Sequence, residues 1–181
     1  MDGSNNTEAI WKQLESRGSA VFESRRPEDT FELGRCLGEA AQGGQVYTLI
    51  GDLGVGKTLF TQGFAAGLGI GEPVNSPTFT ILQVYEGGRL PFYHFDVYRI
   101  ADVEEMEEIG YEEYFYGEGV SMIEWADLIK EILPERHLRI TIEKDLEQGF
   151  DYRRISVRRV SSRSQHRLLR GETLNLTPKN A

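Results

Sequence analysis

The sequence predicts an α/β protein organised around a phosphate-binding loop. Two observations support this prediction. Short apolar runs with the composition of buried strands alternate with segments of helical periodicity along most of the chain. One of these runs, 45–50, leads directly into the glycine-rich segment 51–58, and a helical segment follows at 59–68. A strand, a glycine-rich loop and a helix in this order are typical of nucleotide-binding α/β proteins.

Length and composition are those of one ordinary globular domain. The chain has 181 residues, of which 39% are hydrophobic and 27% are charged. No apolar run approaches the roughly 18 residues that a membrane span needs, and the first residues lack the basic and apolar regions of a secretory signal. The single cysteine, Cys36, fits a reducing compartment. We therefore expect a cytoplasmic protein that does not associate with membranes.

Three parts are expected along the chain. Residues 1–20 are interpreted as an N-terminal extension with a short helix at 9–15, and residues 21–160 as the domain that holds the loop. Residues 161–181 are rich in serine and arginine and are expected to form a basic, flexible C-terminal tail.

The remaining elements of the domain follow from local patterns. Asp29 and Glu32 predict a capping box for the first helix of the domain, and Asp102 and Glu105 predict cap partners for a later one. In chain order, the elements are a helix at 30–42, a hairpin of strands at 79–85 and 90–98, a helix at 102–109, a strand at 119–123, a helix at 128–133, and two antiparallel strands at 138–142 and 154–160.

The loop carries the clearest chemical signal. Residues 51–58, Gly-Asp-Leu-Gly-Val-Gly-Lys-Thr, match the pattern G-x-x-x-x-G-K-[ST] in full. The glycines let the backbone curl so that successive N–H groups face phosphate oxygens, and the start of the next helix adds partial positive charge. We expect Lys57 to hold the β- and γ-phosphates and Thr58 to offer its hydroxyl to Mg²⁺.

Two carboxylates are candidates to complete the site. Asp96 and Glu124 each follow an apolar strand, which is where open α/β sheets bind ligands. We expect at least one of them to act on Mg²⁺ or its waters. Thr78, in the turn-prone segment 76–78, either reaches Mg²⁺ or an attacking water or belongs to a plain turn.

The sequence gives weaker information on the roles of two other polar residues, His94 and Arg99, and on the nucleotide base that the site would bind. His94 shares a strand face with Asp96, although a lone strand histidine is more often structural. Arg99 either neutralises phosphate charge or pairs with nearby acidic residues. The sequence lacks the Asn-Lys-x-Asp segment usual in guanine-selective proteins, so ATP is the expected nucleotide. The segment 27–30 is a candidate for the adenine pocket because it leads towards the strand before the loop.

Four segments, taken together, point to one family. They are 51–58, Ser76-Pro77-Thr78-Phe79-Thr80, His94-Phe95-Asp96-Val97-Tyr98-Arg99 and Ile123-Glu124-Trp125. In this order and spacing they resemble the TsaE (YjeE) family, the small ATPases of bacterial tRNA threonylcarbamoyladenosine biosynthesis. The resemblance runs from about residue 30 to residue 160. Many families share the loop, whereas the His-x-Asp-x-Tyr-Arg and Glu-Trp segments are far more specific.

The resemblance implies a fold, an activity and partners. The fold would be a three-layer α/β P-loop NTPase fold, with a mixed, mostly parallel sheet flanked by helices. The activity would be binding and slow, Mg²⁺-dependent hydrolysis of ATP, which supports turnover of the partner proteins TsaB and TsaD; tRNA would be reached through these partners. Catalytic roles would fall to Lys57, Asp96, Glu124 and Thr78, and Thr58 and Glu124 would hold Mg²⁺. The residues implied in nucleotide binding are Leu53, Gly54, Val55, Gly56, Lys57, Thr58 and Trp125.

The charge distribution is strongly uneven. The formal net charge of −9 disfavours autonomous binding to nucleic acid. Residues 102–118 contain eight acidic side chains and no lysine or arginine, whereas residues 152–170 contain seven arginines and no acidic residue. Each run either faces solvent or forms a docking surface, and the resemblance favours a partner surface for the acidic run.

Two other functions remain open from the sequence. A small-molecule P-loop kinase would transfer phosphate to an added metabolite, and it usually has an arginine-rich lid, whereas the arginine-rich stretch here is C-terminal. A nucleotide-dependent binding module would have no useful turnover of its own. Glu124→Ala would leave the pathway activity of such a module intact.

Overall fold

The computed structural model describes residues 3–161 and, within them, the side chains from residue 9 onward. The predicted tail therefore lies outside the described residues, apart from Ser161. The helices are α1 (Gly3–Arg17), α2 (Pro27–Ala40), α3 (Lys57–Gly67), α4 (Glu104–Ile109) and α5 (Tyr111–Phe115), and a 3-10 helix spans Ala126–Ile129. The strands are β1 (Ser19–Ser24), β2 (Val46–Ile50), β3 (Leu82–Tyr85), β4 (Phe92–Asp96), β5 (Val120–Glu124), β6 (His137–Lys144) and β7 (Arg153–Val160).

The strands of the described region form one mixed sheet in the order β1-β7-β6-β2-β5-β4-β3. The neighbouring strands β6, β2, β5 and β4 run parallel to one another. Towards the edges, β1, β7 and β3 pair antiparallel with their neighbours. The predicted mixed sheet, parallel in its centre, is therefore confirmed.

Helices cover both faces of the sheet and complete three layers. On one face, α1, α2 and α3 contribute Leu14, Leu37 and Phe64 to the larger hydrophobic core. On the other face, α4 and α5 contribute Met106 and Phe115 to a second core. Full burial of an apolar side chain of this size contributes about 1.5–3 kcal/mol, so both cores hold helices firmly against the sheet.

Glycines bring the backbones of α2 and α3 into direct contact. A Cβ atom on Gly34 would lie 3.0 Å from the backbone nitrogen of Phe64, and one on Gly63 would lie 2.9 Å from the carbonyl carbon of Phe31. Such distances leave no space for a side chain at either glycine. Since α3 begins at Lys57, this close packing also fixes the position of that lysine.

The N-terminal region differs from the sequence predictions. Helix α1 is longer than the short helix expected at 9–15, and its Ile10 and Leu14 are buried in the larger core. Strand β1, most of which lies within the predicted domain, was not predicted. Helix α2 begins at Pro27, three residues before the predicted start. Asp29 is not the cap residue itself but lies in the first turn, where its Oδ2 accepts hydrogen bonds from the backbone N–H groups of residues 25 and 26.

Later elements match the predictions with two exceptions. The hairpin of β3 and β4, the helix α4 and the antiparallel pair β6–β7 all occur as expected. The helix predicted at 128–133 is wrong, because the chain forms only the 3-10 helix after Trp125, whose φ of 61° interrupts regular structure. Helix α5 was not predicted, since Gly110 ends α4 in a left-handed conformation and the chain resumes a helix at once.

Candidate nucleotide-binding site

Three adjacent parallel strands end at the same edge of the sheet. In the register of β5 with its neighbours, Glu124 lies opposite Leu49 of β2 and opposite Asp96 of β4. The glycine-rich loop begins directly after β2. The topology therefore places the loop, Glu124 and Asp96 side by side, although they are far apart in the sequence.

The loop has the conformation that its glycines predict. Gly54 and Gly56 adopt left-handed backbone conformations, with φ values of 73° and 109°, which glycine adopts without steric cost. The side chain of Val55 points the other way and is buried in the larger core. The backbone of the loop is therefore tightly curved at its glycines, and the buried side chain of Val55 holds the loop against the core.

Lys57 is buried at the start of α3. Its Nζ atom donates hydrogen bonds to the carbonyl oxygens of Gly51 at 2.7 Å and Asp52 at 2.9 Å. The same atom lies 3.9 Å from the centroid of the Trp125 ring, a cation–π contact. Burial lowers the pKa of Lys57, while the charges of Glu124 and Asp96 oppose that shift. These contacts hold the ammonium group of Lys57 against the loop.

Glu124 is held by a histidine from the neighbouring strand. Its Oε1 atom lies 2.8 Å from Nε2 of His94, and both side chains are buried. Since a carboxylate accepts hydrogen bonds, the Nε2 atom carries the proton. The Nδ1 atom of His94 is buried without a hydrogen-bond partner among the described residues. His94 therefore has a structural role that fixes the orientation of Glu124.

Asp96 forms hydrogen bonds to the segment 76–78, which follows α3 in the chain. Its Oδ2 atom accepts hydrogen bonds from the hydroxyls of Ser76 at 2.5 Å and Thr78 at 2.8 Å. Its Oδ1 atom accepts the backbone N–H of Tyr98 at 3.0 Å. Hydrogen bonds to a charged acceptor are about twice as strong as neutral ones, so Asp96 clamps the segment 76–78 against the end of β4.

These groups line one cavity of about 530 Å³. Nine of the residues predicted for the site lie in its wall, whereas Val55 does not. Thr58 and Trp125 complete the wall beside Lys57, and Tyr98, which the sequence analysis did not select, adds an aromatic ring. The residues of the predicted site that line the cavity are Leu53, Gly54, Gly56, Lys57, Thr58, Thr78, Asp96, Glu124 and Trp125.

Two further residues differ from expectation. Arg153, which the sequence analysis missed as a site residue, donates from Nε to the carbonyl oxygen of Val55 at 2.7 Å. No local signal identifies it, because the contact joins residues 98 positions apart. Arg99 is not in the cavity wall; its guanidinium lies 4.6 Å from the centroid of the Phe79 ring, and it forms no ion pair with the described acidic residues.

A second cavity adjoins the first. It has a volume of about 470 Å³ and is lined by residues at the start of α2, among them Pro27 and Phe31, together with Leu59. Leu59 also lines the cavity that holds Lys57. The segment 27–30 therefore lies beside the first turn of α3, and its assignment to the adenine pocket stays a prediction.

The fold and the site together define a P-loop protein. None of the helices in the described region is long and apolar enough to cross a membrane. A family model described as "Threonylcarbamoyl adenosine biosynthesis protein TsaE" matches residues 24–155. The chain therefore belongs to the TsaE family, which acts in tRNA threonylcarbamoyladenosine biosynthesis.

Individual relatives agree with this assignment. A protein of Bacillus subtilis (strain 168) named "tRNA threonylcarbamoyladenosine biosynthesis protein TsaE" is 50% identical over 137 residues, which is 76% of this chain and 84% of that protein. A protein of Treponema pallidum with the same name is 46% identical over 66% of this chain and 87% of its own length. Among solved structures, the "Crystal structure of Bacillus subtilus YdiB" is similar with a TM-score of 0.68 and 40% identity, covering 86% of this chain and 97% of that one.

Proposed function

We propose that this protein binds ATP with Mg²⁺ in the cavity at the carboxyl ends of β2, β5 and β4, and hydrolyses it slowly. This hydrolysis would support turnover of TsaB and TsaD, the proteins expected to transfer the threonylcarbamoyl group to tRNA. The observation that carries the proposal is the convergence of the loop lysine, Lys57, with Glu124 and Asp96 in one cavity.

The geometry of the loop fits a polyphosphate. The left-handed residues Gly54 and Gly56 turn the backbone so that its N–H groups can face anionic oxygens. Lys57 adds a cation, and the first turn of α3 adds the partial positive charge of a helix N-terminus. The carbonyl oxygens that now accept from Nζ are weaker partners than phosphate, because a charge-assisted pair is stronger.

The oxygen donors of the cavity fit Mg²⁺. Thr58 and Glu124 lie in its wall, and a hydroxyl and a carboxylate are the hard oxygen ligands that Mg²⁺ prefers. His94 occupies Oε1 of Glu124 and leaves Oε2 without a hydrogen bond from the described residues. When bound, Mg²⁺ would supply positive charge to the phosphate oxygens.

Asp96 and Thr78 would orient the attacking water. Both oxygens of Asp96 already accept hydrogen bonds, from Ser76 and Thr78 on one side and from Tyr98 on the other. The carboxylate thus fixes the hydroxyl of Thr78 in the cavity wall, where it could hold a water in position. Trp125 would cover the phosphates beside Lys57 and limit access of bulk water.

The base would occupy the adjoining cavity. Leu59 connects this cavity with the phosphate site, and Pro27 and Phe31 give it apolar surface for an aromatic ring. An adenine placed there would extend from the loop towards the start of α2. The absence of a guanine-recognition segment from the sequence supports ATP as the nucleotide.

A reconstituted reaction tests the proposal. With TsaB and TsaD present, the wild-type protein should release phosphate from ATP to water and should sustain tRNA modification over many turnovers. Glu124→Gln keeps an acceptor for His94 but removes the charge, so phosphate release should fall by roughly 100-fold. Glu143→Gln, an exposed carboxylate at the end of β6, serves as the matched control.

Two results would contradict the proposal. Transfer of phosphate to an added metabolite would identify a kinase instead. Full modification activity of Glu124→Gln over many turnovers would show that hydrolysis has no role, and the protein would then act as a nucleotide-dependent binding module.

A further inference from the structure

Arg153 donates its hydrogen bonds to carbonyl oxygens rather than to a carboxylate. It is the first residue of β7, and its side chain is half-buried. Its Nε atom donates to the carbonyl oxygen of Val55 at 2.7 Å, and its Nη1 atom donates to those of Phe150 at 2.8 Å and Tyr152 at 2.7 Å. Arg153 forms no ion pair with the described acidic residues. One guanidinium group thus joins the turn before β7 to the phosphate-binding loop.

The turn before β7 holds this guanidinium group in place. Two of its three carbonyl partners, those of Phe150 and Tyr152, belong to that turn. Tyr152 is buried, and its backbone N–H donates to the carbonyl oxygen of Gly149 at 3.2 Å. A planar guanidinium group that is bonded twice to one segment has little freedom to rotate. The turn therefore keeps the Nε–H group of Arg153 directed at the loop.

The bond to Val55 sets the orientation of the peptide group between Val55 and Gly56. In a trans peptide bond, the C=O and N–H groups point in opposite directions. Because the carbonyl group of Val55 faces Arg153, the N–H group of Gly56 faces away from it. Gly56 lies in the wall of the cavity that holds Lys57, whereas Arg153 does not. The N–H group of Gly56 is therefore directed towards the cavity.

This N–H group is available to a ligand. It donates to no carbonyl oxygen of the described backbone, whereas the carbonyl oxygen of Gly56 accepts the N–H of Phe60 in α3 at 3.1 Å. The N–H group also belongs to the residue directly before Lys57, the cation of the cavity. An N–H donor beside an ammonium group suits a phosphate oxygen.

Glycine makes the orientation of this peptide group easy to lose. Gly56 has a φ of 109°, and a residue without a Cβ atom adopts positive and negative φ values about equally well. A rotation of the peptide plane would turn the carbonyl group of Val55 into the cavity and the N–H group of Gly56 out of it. A phosphate would then meet a carbonyl oxygen, so that repulsion would replace a hydrogen bond. The loop therefore needs an external bond that holds this peptide plane.

We propose that Arg153 is a positioning residue, which holds the peptide group between Val55 and Gly56 so that the N–H of Gly56 binds a phosphate oxygen of the nucleotide. The inference rests on the proposed binding of ATP in this cavity. Arg153 acts through the backbone of the loop and does not itself line the cavity. Its charge also polarises the peptide group, because hydrogen bonds in a chain strengthen one another inside a protein.

Calorimetric titration with ATP in the absence of Mg²⁺ tests this role without hydrolysis. Arg153→Met keeps a long side chain but removes every donor, and it should weaken ATP binding roughly tenfold or more, because a hydrogen bond to a charged phosphate is lost. Arg154→Met is the matched control, since Arg154 is the next residue of β7 and is exposed; its ATP affinity should stay within about twofold of the wild type. Urea unfolding checks both variants for retention of the fold. If Arg153→Met does not fold, Arg153→Lys takes its place, with an expected loss of about fivefold to tenfold.

The amide of Gly56 gives a signal that reduced stability alone would not change. In ¹H–¹⁵N spectra of the wild type, saturating ATP should shift the Gly56 amide proton downfield and slow its exchange with solvent about tenfold or more, since a hydrogen-bonded amide exchanges only when it opens. In the Arg153 variant saturated with ATP, exchange at Gly56 should slow by less than about twofold, while the amide of Phe64 in α3 stays as protected as in the wild type.

Three results would overturn the inference and leave the ATPase proposal intact, provided that the wild type binds ATP. They are an Arg153 variant that binds ATP as tightly as the wild type, an equal loss of affinity in Arg154→Met, and a Gly56 amide that responds to ATP in the Arg153 variant as it does in the wild type. A wild type without affinity for ATP would overturn both proposals, so the two failures can be distinguished.

Discussion

The contact between α2 and α3 gives a stability prediction that the sequence alone could not supply. Gly63→Ala would place a methyl group 2.9 Å from the carbonyl carbon of Phe31 and closer still to its oxygen. Both helices are anchored in the core through residues such as Leu37 and Phe64, so neither can move away without loss of other contacts. The substitution should therefore destabilise the protein, although alanine is the better helix former.

The magnitude follows from two opposing effects. Overpacking of a well-packed interior costs about 1–3 kcal/mol, and backbone against backbone belongs at the upper end. The gain in helix propensity from glycine to alanine offsets about 1 kcal/mol. The net loss should be about 2 kcal/mol, which lowers the Tm of a chain of this size by roughly 4–8 °C.

Thermal and urea unfolding measure this loss. Gly71→Ala is the matched control, because a Cβ there meets nothing within 4 Å, and its stability should change by less than about 0.5 kcal/mol. If Gly63→Ala proved as stable as the wild type, or more stable, the helices would not be in backbone contact and our account of how α2 positions Lys57 would be refuted.

Three further predictions concern the loop, pH and the acidic run. Arg153→Lys removes the Nε–H bond to a loop carbonyl and should weaken ATP binding about fivefold to tenfold in calorimetry; unchanged affinity would count against a positioning role. Burial lowers the pKa of His137, so the unfolded chain binds the proton more readily and stability should fall as pH drops below about 6.5. His137→Asn should show a shallower decrease of Tm between pH 7 and pH 5, and an unaltered pH profile would contradict this. Glu107→Lys/Glu108→Lys should weaken assembly with TsaB and TsaD without changing ATP affinity, and unimpaired assembly would exclude that surface.

The residues that line the proposed nucleotide site could be predicted largely because their signals are local. Gly54, Gly56 and Lys57 have roles dictated by backbone conformation and charge, so their spacing in the sequence was sufficient. The strand-end positions of Asp96 and Glu124 were equally readable from apolar runs that stop at a carboxylate. To predict that these two carboxylates lie close together, we needed only the assumption that the carboxyl ends of parallel strands meet at the same edge of the sheet.

The remaining parts depend on contacts between distant segments. Two hydrogen bonds arise from the order of the strands in the sheet: the one from Arg153 to the carbonyl oxygen of Val55 in the loop, and the one from Ser76 to Asp96. Strand β1 was missed because its alternation is weak and its pairing with β7 stabilises it from the other end of the chain. Trp11 likewise acquires its neighbours only when α1 packs beside β7.

Calorimetric titration of ATP, with and without Mg²⁺, tests the central claim most directly. Our account predicts saturable binding of one nucleotide by the wild type, tighter with Mg²⁺, and a loss of roughly 100-fold in Lys57→Ala, since the charged partner of the phosphates is removed. Lys130→Ala, an exposed lysine, should bind as the wild type does. If the wild type bound no adenine nucleotide, or if Lys57→Ala bound ATP as tightly as the wild type, the cavity at the ends of β2, β5 and β4 would not be a nucleotide site.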